Sequence, residues 1–294
     1  MKALLEQAES FSKNNEFLKW TILKEILHYD ILEALYKSNI SKELVFQGGT
    51  ALRLCYKSAR YSEDLDFVLK NGEKFSNELM DEFENVFVNN VKTKYNLQAV
   101  VSKKEKSNRI ENVAVDKWTA KVIINHKEHI PQQKINIEIA AVPSHSNDFT
   151  IITNNYDISN NVNIGFYVET LEEILADKMI AISQRAYFKA RDFWDVKWLA
   201  DKGVQPNISL INKKINDYKI TNFKEQLEKK VAELDSFESY ILFKNEMGRF
   251  LNDELLHMVN NSEVVTAIFN KTKDFKEIII NEITTDIKPI RRLK

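Results

Sequence analysis

The 294-residue sequence is short of residues that interrupt regular structure, with only 6 Gly and 4 Pro. Long irregular stretches are therefore excluded and helix should dominate. The single cysteine, Cys55, excludes an internal disulfide and suits a reducing compartment. No uninterrupted apolar run approaches the roughly 20 residues that span a bilayer. The segment Met1 to Glu6 meets charge at once and lacks the apolar centre of a signal peptide. Together these absences lead to the expectation of a cytoplasmic protein with no membrane partner. Net charge is nearly absent too, at −1, although it is unevenly spread. Lys103, Lys104, Lys106 and Arg109 form one basic cluster, and Lys288, Arg291, Arg292 and Lys294 another. Such clusters can contact phosphates, but in a neutral chain they are more often solvated faces.

What is present is the balance of a globular protein, 44% hydrophobic and 29% charged residues. Leu18, Ile22, Ile26, Tyr29 and Leu32 recur at helical spacing, so the first forty residues read as helices. Leu44-Val45-Phe46 reads as a short strand ending at Gly48-Gly49, with one or two helical turns from Thr50 to Lys57. Leu65, Phe67 and Leu69 alternate with their neighbours at the period of a strand, and residues 77–89 suit a helix. Strands are expected at Val113 to Val115, at Thr119 to Ile124, and at Lys134 to Ala140. In the last of these, Ile135, Ile137 and Ile139 share one face, with Lys134, Asn136 and Glu138 on the other. Ser144 to Asn163 reads as loops around a short strand. Thr170 and Glu173 make a capping-box pattern, and the rest of the chain is helical by spacing. The division expected is 1–168, a mixed α/β core preceded by helices, and 169–294, a helical part.

Asp64 and Asp66, two apart on a strand, project from one face and can share a metal site. Magnesium prefers hard oxygen ligands, commonly one or two carboxylates plus substrate phosphates. Two such ions about 4 Å apart align an attacking hydroxyl and a pyrophosphate leaving group. Glu138, on the polar face of its strand, is the candidate third carboxylate, although polar strand faces are routinely charged. Gly48-Gly49 lets the backbone turn sharply and approach a ligand, and the following amides with the Thr50 hydroxyl can grip triphosphate oxygens. A Gly-Gly pair alone is as often a plain turn. Followed by Asp-x-Asp on a strand it carries far more weight.

Gly48-Gly49-Thr50-Ala51-Leu52 with Arg60-x-Ser62-x-Asp64-Leu65-Asp66-Phe67 resembles the first motif of polymerase-β-like nucleotidyltransferases. More narrowly, it resembles the AbiEii family of toxins from abortive-infection and toxin–antitoxin systems. Lys178, Arg185 and Arg191-Asp192-Phe193-Trp194-Asp195 resemble that family's later motif, and Glu138 its middle acidic position. The resemblance spans residues 44 to 200. It implies an α+β fold with a mixed sheet, and metal-dependent transfer of a nucleoside monophosphate from a nucleoside triphosphate. Asp64, Asp66 and Glu138 would hold Mg²⁺ or Mn²⁺. Gly48, Gly49, Thr50, Arg60, Ser62 and Lys178 would hold the nucleotide, with Asp192 and Asp195 in supporting roles. The implied acceptor is RNA, the tRNA 3′ end, and the implied partner a separate antitoxin that need not bind directly.

Lys178 falls within the apolar stripe of Leu171, Ile174, Leu175, Met179 and Ile182. A lysine there usually snorkels to solvent, or it can reach a cleft and bind phosphate. On one straight helix Asp192 would lie about 21 Å from Lys178, so a shared site requires a chain reversal between Gln184 and Arg191. Arg60 can bind phosphate or pair with an acid, and Ser62 can orient Asp64 or cap a turn. His126 and His129 invite a zinc reading, but without a Cys or acidic partner surface histidines fit better. Trp194 and Trp198 fit core better than a stacking platform. The Asp64-x-Asp66-x-Val68 pattern also fits a haloacid-dehalogenase phosphatase, whose apolar lead-in strand is missing here. Two rivals remain: a small-molecule nucleotidyltransferase of the antibiotic-modifying kind, and a non-catalytic nucleotide-binding protein of the same fold.

Overall fold

The computed structural model describes residues 2–13, 15–72, 78–104, 115–123, 133–154, 156 and 163–283. His126, His129, Lys106, Arg109 and the basic cluster at 288–294 lie outside them. Two helices open the chain, α1 (Lys2–Ser12) and α2 (Glu16–Lys37), the second capped by the Asn15 side chain. After a 3-10 turn at Ile40–Lys42 come β1 (Leu44–Gln47), α3 (Gly48–Leu54), β2 (Leu65–Leu69) and α4 (Glu78–Tyr95). Then follow β3 (Gln98–Lys104), β4 (Val115–Ile123), β5 (Gln133–Pro143), β6 (Asn147–Ile152) and β7 (Ile164–Glu169). The remaining described helices are α5 (Leu171–Gln184), α6 (Ala190–Asp201), α7 (Ile208–Asp217), α8 (Phe223–Ala232), α9 (Phe237–Met247), α10 (Asp253–Val259) and α11 (Ser262–Glu282).

The described strands form one mixed sheet in the order β3-β4-β5-β2-β1-β7-β6. The β1–β7 and β2–β5 pairs are parallel, and the others antiparallel. This is the α+β architecture expected, with differences in the strands. A single β4 replaces the two short strands expected, whose residues 113, 114 and 124 are not described. β3 and β7 were not anticipated. Ile164, Gly165, Phe166, Val168 and Glu169 of β7 are all buried, so the segment lacks the alternation that marks a half-exposed strand.

An aromatic trio fixes the register at the centre of the sheet. Phe46 of β1 lies opposite Phe67 of β2, their rings stacked at 5.0 Å, and Phe166 of β7 packs 5.9 Å from Phe67. A slip of one residue would exchange Phe67 with Asp66 and drive a carboxylate into the core. Packing of these rings therefore decides that Asp66 faces the cleft. The chain reversal required after Lys178 is present: α5 stops at Gln184 and α6 starts at Ala190, packed against it. Thr170 caps α5 by accepting from the Glu173 amide, but the Glu173 carboxylate accepts from the His145 and Ser146 amides and pairs with Lys214. Only half of the expected capping box forms. Trp194 and Trp198 are partly buried against the core. Among the described residues, no helix is long and apolar enough to cross a membrane.

Candidate active site

Gly48 directly follows β1 with φ +75°, a conformation that favours glycine, and a Cβ there would lie 3.2 Å from Asp66 Oδ2. Gly49 is more constrained still. A Cβ added to it would fall 2.0 Å from Arg60 Nη2, which is not free to move. Arg60 is buried and donates through Nε and Nη2 to both oxygens of Asp195, while its Nη1 donates to the Tyr61 carbonyl at 2.9 Å. Gly49→Ala is therefore expected to dislodge the guanidinium and cost about 2–4 kcal/mol of stability, by overpacking and by loosening a buried pair. Urea denaturation checks this; a midpoint equal to wild type would show that Arg60 can be displaced freely.

The α5–α6 reversal places four charges in one buried chain. Lys178 Nζ lies 2.9 Å from Asp192 Oδ1 and 2.7 Å from Asp195 Oδ2, and Arg185 Nε lies 3.0 Å from Asp192 Oδ2. Burial pushes the Asp192 and Asp195 carboxyls up, but the cations outweigh it: Lys178 and Arg185 for Asp192, Arg60 and Lys178 for Asp195. Both carboxyls are held below their ordinary range. Likewise burial opposes the Lys178 ammonium, and the two aspartates outweigh it and keep it cationic.

Facing this chain across a small polar recess are the two carboxylates of the first motif. The recess, about 40 Å³, is lined by Gly49, Ser62, Asp64, Asp66, Lys178 and Arg185, with Arg60, Lys189, Arg191 and Asp192 completing the wall. Asp66 is on β2, and Asp64 stands one residue before it. Asp64 Oδ1 accepts from the Asn136 amide at 2.8 Å. Burial pushes the Asp64 carboxyl up, yet Asn136 with the nearby Arg191 and Lys189 holds it low and ionised. Asp66, Lys178 and Arg185 also border a second cavity of about 360 Å³, mostly apolar, between the sheet and α5. Ile174, Ala181, Val115, Ala140, Tyr187 and Tyr218 are among its walls. Glu138 lies at the level of Asp66 on the adjacent parallel strand, and Lys117 of β4 pairs with it.

Most of the residues singled out in the sequence thus converge, but two take structural positions. The Thr50 hydroxyl is buried and donates to the Asp64 carbonyl, so it anchors that backbone instead of turning to the recess. Arg60 borders the recess, and of the two readings open for it the structure shows the pairing with an acid, with Asp195 and the Tyr61 carbonyl accepting from its guanidinium. Arg191 pairs with Glu246 and lies 4.2 Å over the Phe250 ring, so Asp192 and Asp195 orient Lys178, Arg185 and Arg60 and not Arg191. Three contributors escaped the sequence reading: Asn136, Lys117 and Lys189. Burial lowers the Lys189 ammonium to about 8, with Arg185, Arg191 and Lys178 adding to the effect and Asp192 opposing it. Its only sequence signal is proximity to Arg191-Asp192.

Among the described residues, no group of three or more His, Cys, Asp or Glu side chains is arranged to hold a metal ion by itself. The donors fit Mg²⁺ in another way. Two carboxylates at a recess walled by cations supply part of a hard-oxygen shell that substrate phosphates would complete.

Residues 30–278 match the family model described as nucleotidyl transferase AbiEii toxin, type IV toxin–antitoxin system. Among curated proteins, none matches the chain. Two crystal structures from Helicobacter pylori are similar in fold, one described as a candidate nucleotidyltransferase and the other as JHP933. Each is 18% identical with a TM-score of 0.51 and is matched over 89% of this chain, and over 96% and 94% of its own length respectively. At that identity the likeness concerns the fold alone. With the matched model spanning both the Asp64–Asp66 strand and the Lys178–Asp195 reversal, the chain belongs to the AbiEii nucleotidyltransferase toxin family of type IV toxin–antitoxin systems.

Proposed function

We propose that the recess and the cavity adjoining it together receive a nucleoside triphosphate, its phosphates towards the cations that border both, for transfer of the nucleoside monophosphate to an RNA 3′ hydroxyl. One observation carries this reading: Asp64 and Asp66 face Lys178, Arg185 and Lys189 across a polar recess that opens into an apolar cavity of about 360 Å³. Gly49 borders the recess and Gly48 the cavity, where their backbone can face the nucleotide, while the space a side chain would take is filled by Arg60 and Asp66. Lys178 acts as a point charge on phosphate, already oriented by Asp192 and Asp195. Arg185 and Lys189 neutralise the charge that develops on the pyrophosphate, and Ser62 borders the same oxygens.

The acceptor hydroxyl oxygen attacks the α-phosphorus in line and releases its proton to solvent. The new P–O bond forms as the bond to the β-phosphate bridging oxygen breaks, and pyrophosphate leaves with the bonding pair. Asp64 and Asp66 would hold Mg²⁺ or Mn²⁺, which would lower the pKa of a bound hydroxyl and screen phosphate charge, while Glu138 beside Asp66 is paired with Lys117. Catalysis rests mainly on positioning and charge neutralisation. An RNA acceptor would bring its own phosphates, so its binding should weaken with salt. Within a type IV system the antitoxin would be a separate protein that need not touch this one.

Lys189 gives this reading a pH signature. Its ammonium is lowered to about 8, so the free protein loses that charge as pH rises through 8. Triphosphate affinity is expected to fall between pH 7 and 9 in wild type. Lys189→Met should weaken binding about tenfold at pH 7, the size of one charge-assisted hydrogen bond, and should flatten the pH dependence. Fluorescent-nucleotide titration at both pH values checks it. Equal slopes in the two proteins would remove Lys189 from the phosphate site.

A further inference from the structure

Two rows of polar side chains run across β4, β5 and β2 on the face that carries the carboxylates. In the first, Thr119 donates to Asn136 Oδ1 at 3.4 Å and Asn136 donates to Asp64 Oδ1 at 2.8 Å. In the second, Lys117 stands opposite Glu138, and Glu138 beside Asp66. The rows differ in charge. The first ends in neutral donors, which orient Asp64 and leave its charge intact. The second ends in an ammonium paired directly with Glu138. Adjacent strands lie about 4.8 Å apart, which puts Lys117 two strands, roughly 10 Å, from Asp66 by backbone spacing.

Lys117 is absent from the walls of both the recess and the cavity, whereas Lys178 and Arg185 border both and Lys189 borders the recess. Its side chain is only 16% exposed. It is therefore placed to act on Glu138 and not on a bound phosphate. A fixed ammonium there does two things. It neutralises the third carboxylate, and its field opposes a second cation close to Asp66.

We propose that Lys117 is a positioning residue, an internal counter-cation that withholds Glu138 from the Asp64–Asp66 site. Divalent cation then binds weakly until nucleoside triphosphate supplies further oxygen ligands, so cation and nucleotide load together. This rests on the reading that Asp64 and Asp66 hold a divalent cation.

The test is Mn²⁺ binding by protein without nucleotide, followed by the electron paramagnetic resonance signal of free Mn²⁺. Lys117→Met should bind Mn²⁺ about tenfold more tightly than wild type, the scale of removing one nearby charge at partly screened distance. Lys117→Arg should behave as wild type, and Lys117→Met with Glu138→Gln should lose the gain. Equal affinity in wild type and Lys117→Met, with binding still weakened by Asp66→Asn, overturns the counter-cation and leaves the metal site standing. If Asp66→Asn leaves Mn²⁺ binding unchanged, the metal-site reading fails and the counter-cation with it. Thermal melts of each variant establish that the proteins compared are folded. Triphosphate affinity in the absence of metal gives a second decision: it should be unchanged in Lys117→Met, and a tenfold loss would make Lys117 a phosphate ligand instead.

Discussion

Asp195→Ala is expected to lower stability by about 3–5 kcal/mol, because it strands two buried cations at once. Arg60 would keep only the Tyr61 carbonyl, and Lys178 only Asp192. For a chain of this size that corresponds to a fall of roughly 10 °C in melting temperature. Replacing both partners, Arg60→Met with Asp195→Leu, should cost much less than the sum of the single changes, since no buried charge is then left alone. Strictly additive losses would mean that the pair does not interact in the folded protein. The pH dependence follows from the same ions. Asp192 and Asp195 are held below their ordinary value of 3.8 in the folded chain. Their contribution is therefore complete above that value, and it is lost as pH falls towards the folded-state values. Wild type should lose stability on acidification below about pH 4, and Asp195→Ala should lose less over the same window.

Asp66→Asn should separate activity from stability in the opposite way. Asp66 has Gly48 against its carboxylate, Asp64 two residues before it and Glu138 beside it. Glu138 is paired with Lys117, Asp64 is held ionised by Asn136, Arg191 and Lys189, and Asp66 is only partly buried, so the isosteric amide should leave the melting temperature close to wild type. Transfer should nevertheless fall about 10³-fold or more, the scale of losing a group that organises charge at the reacting phosphate. The effect should appear in kcat more than in KM, because Lys178, Arg185 and Lys189 remain to bind triphosphate. A variant with equal loss of melting temperature and activity would place Asp66 in the framework, and one with full activity would exclude it from the chemistry.

Much of the site was legible because its signals are local. The alternation of Leu65, Phe67 and Leu69 put Asp66 on a polar face, and the Phe46–Phe67 stack is the physical reason that face turns to the cleft. The reversal after Gln184 followed from distance once the resemblance placed Lys178 and Asp192 in one site, since 14 residues of straight helix cannot return to it. Other features depend on partners far apart in sequence. The bidentate Arg60–Asp195 pair spans 135 residues, and neither side chain announces its partner. Thr50 kept the expected hydroxyl, but where a hydroxyl points is decided by packing, here onto the Asp64 carbonyl. Asn136 was visible only as a polar strand position, and its role depends on β5 running parallel to β2. Lys189 carries its meaning only through burial among other cations.

The most direct measurement follows which phosphorus of the nucleotide travels. The protein is incubated with Mg²⁺, total tRNA and each nucleoside triphosphate in turn, labelled at the α- or at the γ-position. Nucleotidyl transfer predicts that α-label becomes attached to RNA and γ-label leaves as pyrophosphate, with Asp66→Asn abolishing both. γ-Label on the acceptor would mean phosphoryl transfer. No transfer of either label from any of the four nucleotides, or equal transfer by wild type and Asp66→Asn, would contradict an Asp64–Asp66 nucleotidyltransferase acting on RNA.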